Sequence, residues 1–246
     1  MYSISVVIPA RNERDNIVTL LDGIEAALRP LGAHQVIVVD DGSTDGMSDV
    51  LIARMAQAPH LLVLRHDTSA GQSAAVHSGV HAASAPVICT LDGDGQNPPE
   101  ELPKLVAPLL AGNPAIGLVA GQRVKRNDTL SKRLASRFAN GLRGWMLNDG
   151  TRDTGCGLKA FRRDAFLELP YIDHMHRYLP ALFARDGWQV VHVDVIHRAR
   201  GAGRSNYSNL QRGLVGIVDL FGVNWLIRRR KKAVPRAVTP AGKGDP

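Results

Sequence analysis

The chain has 246 residues, 44% apolar and 22% charged, which suits one large α/β domain with a substantial core and excludes a disordered chain. Its formal charge of +7 is placed late: from Arg198 to Pro246, eleven Lys or Arg face two acids, Asp219 and Asp245. Such a tail fits nucleic acid, an anionic membrane or phosphorylated ligands, and composition alone does not choose among them.

Met1 leads into Ser3-Ile4-Ser5-Val6-Val7-Ile8, which lacks the basic start of a signal peptide and reads as a strand. No uninterrupted apolar run reaches the roughly 20 residues of a bilayer span, so a soluble or peripheral protein is expected. Apolar runs end near Ile8, Val39, Arg65, Leu91 and Ala120, with amphipathic stretches between them. In one of these, Asn16 to Leu28, Ile17, Leu20, Leu21, Ile24 and Leu28 recur at helical spacing. Another, Pro99 to Leu110, opens with the prolines and glutamates of a helix start. Alternating strands and helices predict an α/β fold, a mostly parallel central sheet with helices on both faces. The polar residues after the runs are Arg11-Asn12-Glu13, Asp40-Asp41, Asp92-Gly93-Asp94 and Gln122-Arg123, and in such sheets ligands bind at the strands' carboxyl ends. A less regular half, Val124 to Tyr207, would complete the pocket. Cys89 and Cys156 give no disulfide framework, so a reducing cytosol is expected, with both thiols as small core residues.

Asp92-Gly93-Asp94-Gly95-Gln96 is the most chemically pointed segment. Asp92, Asp94 and Gln96 offer hard oxygen ligands to Mg²⁺ or Mn²⁺, a cation able to bridge a diphosphate. An Asp/Gly-rich solvated turn is the plain alternative, weakened here by the strand that precedes it. Val36 to Val39 reads as a buried strand ending in two acids. Asp40 is the candidate for holding a base or ribose, while Ser43, Thr44 or Asp45 can cap the next helix.

Taken together, Ile8-Pro9-Ala10-Arg11-Asn12-Glu13, Val39-Asp40-Asp41-Gly42-Ser43 and Asp92-Gly93-Asp94-Gly95-Gln96 resemble family 2 glycosyltransferases, and more narrowly the dolichol- and polyprenyl-phosphate mannosyl- and glucosyltransferase branch. The likeness covers roughly residues 3 to 207. It implies a GT-A-type nucleotide-binding fold and an inverting transferase that moves a sugar from a nucleotide-diphosphate donor to a polyprenyl phosphate. Pro9, Arg11 and Glu13 then stand in the loop that holds the nucleotide, Arg11 where many members carry Tyr. Asp40 matches the acid that recognises the base, and Asp92, Asp94 and Gln96 match the metal and diphosphate ligands. Gly71-Gln72-Ser73 matches a helix start whose N–H groups suit the nucleotide. Arg123 matches an arginine facing the acceptor phosphate, and Lys132 and Ser136 match an Arg/Ser pair in that role, with the lysine keeping the charge and losing the fork. Asp153 to Lys159 resembles the segment closing one side of the sugar pocket. Arg200 sits in a segment that resembles a loop gripping the donor diphosphate. UDP- and GDP-sugars both stay open as donors, with UDP preferred. A phosphate acceptor is already anionic, so positioning and charge stabilisation suffice. A hydroxyl acceptor on a polysaccharide or glycolipid is the nearest rival and would need a base among Asp92, Asp94 and Asp153.

Nucleic acid is not expected as a partner, since aromatics are 5% and no aromatic/basic stripe is present. No G-x-G-x-x-G follows the first strand, against a dinucleotide oxidoreductase. His174, His176, His192 and His197 match no zinc spacing, and structural use is expected. Residues 1–208 are read as the transferase domain, 209–232 as a docking or oligomerisation segment and 233–246 as a disordered tail. In the second of these, Leu214, Ile217, Val218, Phe221 and Trp225 form one helical stripe ahead of Arg228-Arg229-Arg230-Lys231-Lys232. That pattern suits an anionic membrane surface, on the cytoplasmic face. Packing on the core or on a second subunit is the other reading.

Overall fold

The computed structural model describes residues 2–124, 141, 143–147, 149–198, 209–229 and 233. Strand β1 is Ile4–Ala10, followed by α1 (Arg14–Leu28), β2 (His34–Asp40), α2 (Met47–Met55), β3 (Leu61–Arg65), α3 (Gln72–Ala82), β4 (Val87–Thr90), α4 (Leu102–Leu110) and β5 (Ile116–Arg123). Then come β6 (Lys159–Arg162), α5 (Arg163–Leu167), α6 (Leu179–Arg185), β7 (Gln189–Val195) and α7 (Asn209–Arg228). The strands form a seven-stranded sheet in the order β3-β2-β1-β4-β6-β5-β7. Only the β6 ladders, to β4 and to β5, are antiparallel.

Period-2 alternation along the strands feeds two cores, one on each face of the sheet. Ile4, Val6 and Ile8 of β1 meet α1, α2 and α4, whereas Val7 points to α3 and the later helices. Helix α1 shows what holds this layer: Ile17, Leu20, Leu21, Ile24 and Leu28 are buried, as the spacing predicts, and Glu13 at its N-cap makes no capping side-chain hydrogen bond. Burying side chains of this size contributes about 1.5–3 kcal/mol each, so packing rather than capping sets the helix. The Pro99–Leu110 expectation resolves into a 3₁₀ turn, Pro99–Glu101, running into α4.

Two expectations change. Gln122 and Arg123 are the last residues of β5 rather than a loop beyond it. The second half is also less irregular than its sequence suggests, because β6 and β7 complete the same sheet. Both are short or half-exposed: β6 has four residues, and most of β7 is only partly buried.

Helix α3 lies so close to the sheet that Gly79 has no room for a side chain. A Cβ there would overlap Val7 Cγ1 and stand 3.1 Å from Val39 Cγ2. Gly79→Ala is therefore expected to lower stability by about 1–3 kcal/mol, read as a lower urea midpoint with an unchanged slope.

Candidate active site

Strands β1, β2 and β4 end on one edge of the sheet, where the winding reverses between β1 and β4. In open α/β sheets that crevice is where ligands bind. Gly93 lets the two ends close, since a Cβ there would lie 2.9 Å from Ala10 Cβ and 3.4 Å from the Pro9 carbonyl oxygen. The loop after β1 is locked to the loop after β2. Asn12 N donates to Ser43 Oγ at 2.9 Å, and Thr44 N donates to Asn12 Oδ1 at 2.8 Å. This holds Pro9 and Glu13 half-buried and Arg11 exposed at the rim.

The acids after β2 divide their work. Asp40 has no exposed surface; its carboxylate accepts from Ser43 N at 2.8 Å, from Arg65 Nη1 at 2.9 Å and from Ser48 Oγ. These bonds fix the β2–α2 turn and hold the carboxylate at the end of β2. Asp41 points the other way, towards α3, accepting from Ser69 Oγ at 2.6 Å, Ala70 N at 2.8 Å and Gly71 N at 2.9 Å, with His66 Nδ1 at 2.8 Å. Burial alone would raise both acids, but these hydrogen bonds outweigh it and hold both below the usual carboxylate range. Gly71 therefore spends its N–H on Asp41, and what it offers a ligand is a bare Cα with nothing within 4 Å of an added Cβ.

Asp92 behaves oppositely. Burial, and then the neighbouring charge of Asp94, push its carboxyl above the usual range, against opposing contributions from Lys159, Asn97 and Arg123. Gln72 Nε2 donates to Oδ1 at 2.6 Å and Asn97 Nδ2 to Oδ2 at 3.2 Å. Behind it, a Cβ on Gly157 would stand 2.5 Å from Asp92 Cγ and 2.6 Å from Oδ1. Thr90 Oγ1 fixes that peptide by donating to the Gly157 carbonyl at 2.9 Å. Asp94 Oδ1 accepts from the backbone N–H of Gln96 at 3.1 Å, which closes the turn between them. Hard oxygens around an acid raised by burial and then by like charge are a donor set that fits a divalent cation.

Across the cleft, Arg123 and Asp153 form a two-point pair, Nε to Oδ2 at 2.5 Å and Nη2 to Oδ1 at 2.7 Å. The family resemblance implies separate roles for these residues, acceptor phosphate and sugar pocket, and the fold joins them. Lys159 went unassigned: it is buried, its Nζ donates to the Cys156 carbonyl, and burial pushes its ammonium below the usual range despite nearby Asp92 and Asp153. Asn97 and Gly157 were also missed; nothing in a lone Asn or Gly marks its approach to a carboxylate. Lys132, Ser136 and Arg200 lie outside the described residues. Both thiols are buried and pushed up by that burial, in keeping with core cysteines. Of the later histidines, His176 Nδ1 lies 2.7 Å from Ser73 Oγ, His192 Nε2 3.1 Å from Thr151 Oγ1 and His174 Nδ1 3.0 Å from Asp219, with the His174 and His176 rings 6.5 Å apart.

The sequence profile described as "Glycosyl transferase family 2" matches residues 5–169, which takes in every strand end of the cleft. The chain belongs to this family. Among its relatives, the undecaprenyl-phosphate 4-deoxy-4-formamido-L-arabinose transferase of Pectobacterium carotovorum subsp. carotovorum (strain PC1) is 34% identical over 212 residues, 85% of this chain and 64% of that protein. The protein of that name from Yersinia pestis (strain Pestoides F) is 34% identical over 208 residues, 83% of this chain and 62% of that one. The matched region thus spans less than two thirds of either relative. Among solved structures, glucosyl-3-phosphoglycerate synthase from Mycobacterium tuberculosis in complex with UDP superposes with a TM-score of 0.68 at 24% identity, covering 91% of this chain and 80% of that one. A mannosyltransferase from Pyrobaculum calidifontis in complex with GDP-Man and Mn²⁺ gives 0.65 at 20% identity, covering 95% and 66%. Both have the fold of this family member, the GT-A-type arrangement expected from its motifs.

Because Gly157 is the surface against which Asp92 rests, Gly157→Ala is expected to displace that carboxylate. Mn²⁺ affinity of the cleft should fall by roughly tenfold, in line with an overpacking cost of about 1–3 kcal/mol. Calorimetric titration measures the loss, and an unchanged far-UV spectrum separates it from unfolding.

Proposed function

We propose that this family member is an inverting glycosyltransferase that moves a sugar from a nucleotide-diphosphate sugar, with UDP-sugars preferred over GDP-sugars, to a polyprenyl phosphate. The contrast among the cleft's acids carries the reading. Hydrogen bonds hold Asp40 and Asp41 below the usual carboxylate range, whereas burial and then the charge of Asp94 push Asp92 above it. Asp92, Asp94 and Gln96 would hold Mg²⁺ or Mn²⁺, which when bound offsets negative charge on the departing nucleotide diphosphate. Gln72 and Asn97 orient Asp92 through its two oxygens. Pro9, Arg11, Glu13, Asp40 and Gly71 would line the nucleotide's place, on the strength of the family motifs.

The lipid-phosphate acceptor is supported by the names of the relatives. It is supported too by the state of the carboxylates, since Asp153 spends both oxygens on Arg123 and is a poor base. An acceptor that arrives already ionised needs no base, only a cationic seat. Arg123 supplies it, its guanidinium plane fixed by Asp153, with Lys132, Ser136 and Arg200 as further partners on the strength of the family motifs. Attack in line with the leaving diphosphate inverts the anomeric carbon.

Transfer of labelled sugar to a polyprenyl phosphate tests this reading. EDTA and Asp94→Ala should each abolish product, and Arg123→Ala should spare donor binding while cutting turnover by about 10²–10³. UDP- and GDP-linked donors are run side by side. Full activity in chelator rejects the metal, a product that stays out of the lipid phase rejects the acceptor, and use of GDP donors alone rejects the uridine preference.

We also infer that α7 docks the enzyme on the cytoplasmic face of a membrane, where the thiols stay reduced. None of the described helices is long and apolar enough to cross a bilayer. Leu220 and Val223 are buried, while Ile217, Val218, Phe221 and Trp225 face outward at 51–72% exposure. Tyr178 and Arg185 bind the carbonyls of Gly216 and Leu226, which ties the inner side to the body. The inner side thus has the core packing, and the outer stripe is left for a partner; Leu214's side chain and residues 230–232 lie outside the described set. Arg228 and Arg229 at its end add roughly 1 kcal/mol each near anionic headgroups. Liposome flotation should show binding that needs anionic lipid and is lost in Phe221→Glu/Trp225→Glu. A protein that stays soluble, or that forms a concentration-dependent dimer instead, refutes the placement.

A further inference from the structure

At the opposite edge of the sheet, where β2 begins, three side chains from separate elements converge. Glu25 comes from the last turn of α1, His34 is the first residue of β2, and His60 immediately precedes β3. One ligand atom from each lies within 4.8 Å of the others, the one such group of three His, Cys, Asp or Glu among the described residues. His34 Nε2 and His60 Nε2 each stand 3.1 Å from the same oxygen, Glu25 Oε2. His34 is only 6% exposed, and the two rings meet edge to face at 5.3 Å between centroids.

The tautomer of His34 gives the cluster its meaning. Its Nδ1 lies 3.2 Å from the Gly32 carbonyl, which can only accept, so the proton sits on Nδ1. In the neutral ring Nε2 then presents a lone pair to a carboxylate oxygen, acceptor against acceptor. His34 Nε2 and Glu25 Oε2 are both buried and neither makes a hydrogen bond. With a protonated ring these contacts are an ion pair; with neutral rings, lone pairs of all three side chains converge, and a cation seated among them satisfies all three. The bond from Nδ1–H to a backbone carbonyl is also the support that metal-ligating histidines generally have.

We propose that Glu25, His34 and His60 form a Zn²⁺ site that staples α1 to the starts of β2 and β3. Two imidazoles and a carboxylate suit zinc, whereas Mg²⁺ and Mn²⁺ favour oxygen donors such as those of the cleft. The backbone is already set for it: Val36 N donates to the His60 carbonyl at 2.9 Å, fixing His60 beside β2. A pocket lined by Leu21, Glu25, Val36, Arg54, Gln57 and His60 opens on the cluster and gives access for the ion and a water as fourth ligand. Strand β2 places roughly 20 Å between this site and the Asp40 end, at about 3.3 Å per residue, so the staple is separate from the catalytic cleft.

The test uses untagged full-length protein, stripped with EDTA, exchanged into chelator-free buffer and titrated with Zn²⁺ alone. One equivalent is expected to bind and to raise Tm by roughly 5–10 °C once Zn²⁺ stands about a hundredfold above its Kd. Co²⁺ in its place should give the intense visible bands of a tetrahedral site. Binding should persist in Asp94→Ala and become undetectable in His60→Ala and Glu25→Gln, both at partly exposed positions and both checked for an unchanged metal-free melt. If either variant unfolds, loss of the Co²⁺ bands in the other decides. No saturable zinc, zinc lost from Asp94→Ala alone, or zinc kept by both cluster variants overturns the site.

Discussion

Asp92 sets the terms for the rest of the cleft. Its carboxylate is drawn against the bare Cα of Gly157, with Asp94 close by, and among the described residues the cations that act on it are already engaged: Lys159 with the Cys156 carbonyl, Arg123 with Asp153. Burying an acid without full compensation is costly and raises its proton affinity. The fold accepts that cost by rigidity. The Thr90–Gly157 bond, the Gln72 and Asn97 amides and the close approach of Gly93 to Ala10 leave the half-buried carboxylate little freedom to turn. A site held in this state needs little rearrangement when a compensating charge arrives, the usual condition for electrostatic preorganisation.

The two faces of the sheet serve this arrangement differently. The α1, α2 and α4 face is a continuous apolar layer under the crevice. The opposite face brings α3 almost into the backbone, through Gly79, so that Gln72 at its start reaches Asp92. A bulkier residue at the contact would lift the helix and with it the amide.

Much of the first half was legible in the sequence because its signals are local and repeated. Apolar strand runs and the spacing of α1 appear where periodicity puts them, and the Asp92–Gln96 motif falls at a strand end. What escaped depends on pairings distant in the chain. Asp40 and Asp41 are chemically identical neighbours, and only the alternation of the chain at the end of β2 decides that one faces Arg65 and the other α3. Strand β6 is four residues long, too short for a periodic signal. Glu25, His34 and His60 follow no ligand spacing, since helix and strand geometry rather than sequence distance brings them together. In α7 the exposed stripe was visible, but a helix apolar on both sides does not say which side the core will take until Leu220 and Val223 are seen buried.

The insertion of β6 between β4 and β5 also orders events in time. The block β3-β2-β1-β4 can pair as soon as the first 90 residues exist, since each crossover is local. Its outer edge, β4, then waits for a partner encoded some seventy residues later, Val87 for Arg162 and Thr90 for Lys159. Contacts of such separation form late because the intervening loop must first be closed. Until that partner is made, β4 is an open edge for any half-sheet that has formed, and such an edge is where a nascent chain is exposed to mispairing. The Gly157–Arg162 segment brings both the partner of β4 and the wall behind Asp92, so the same stretch of chain covers the open edge and completes the cleft.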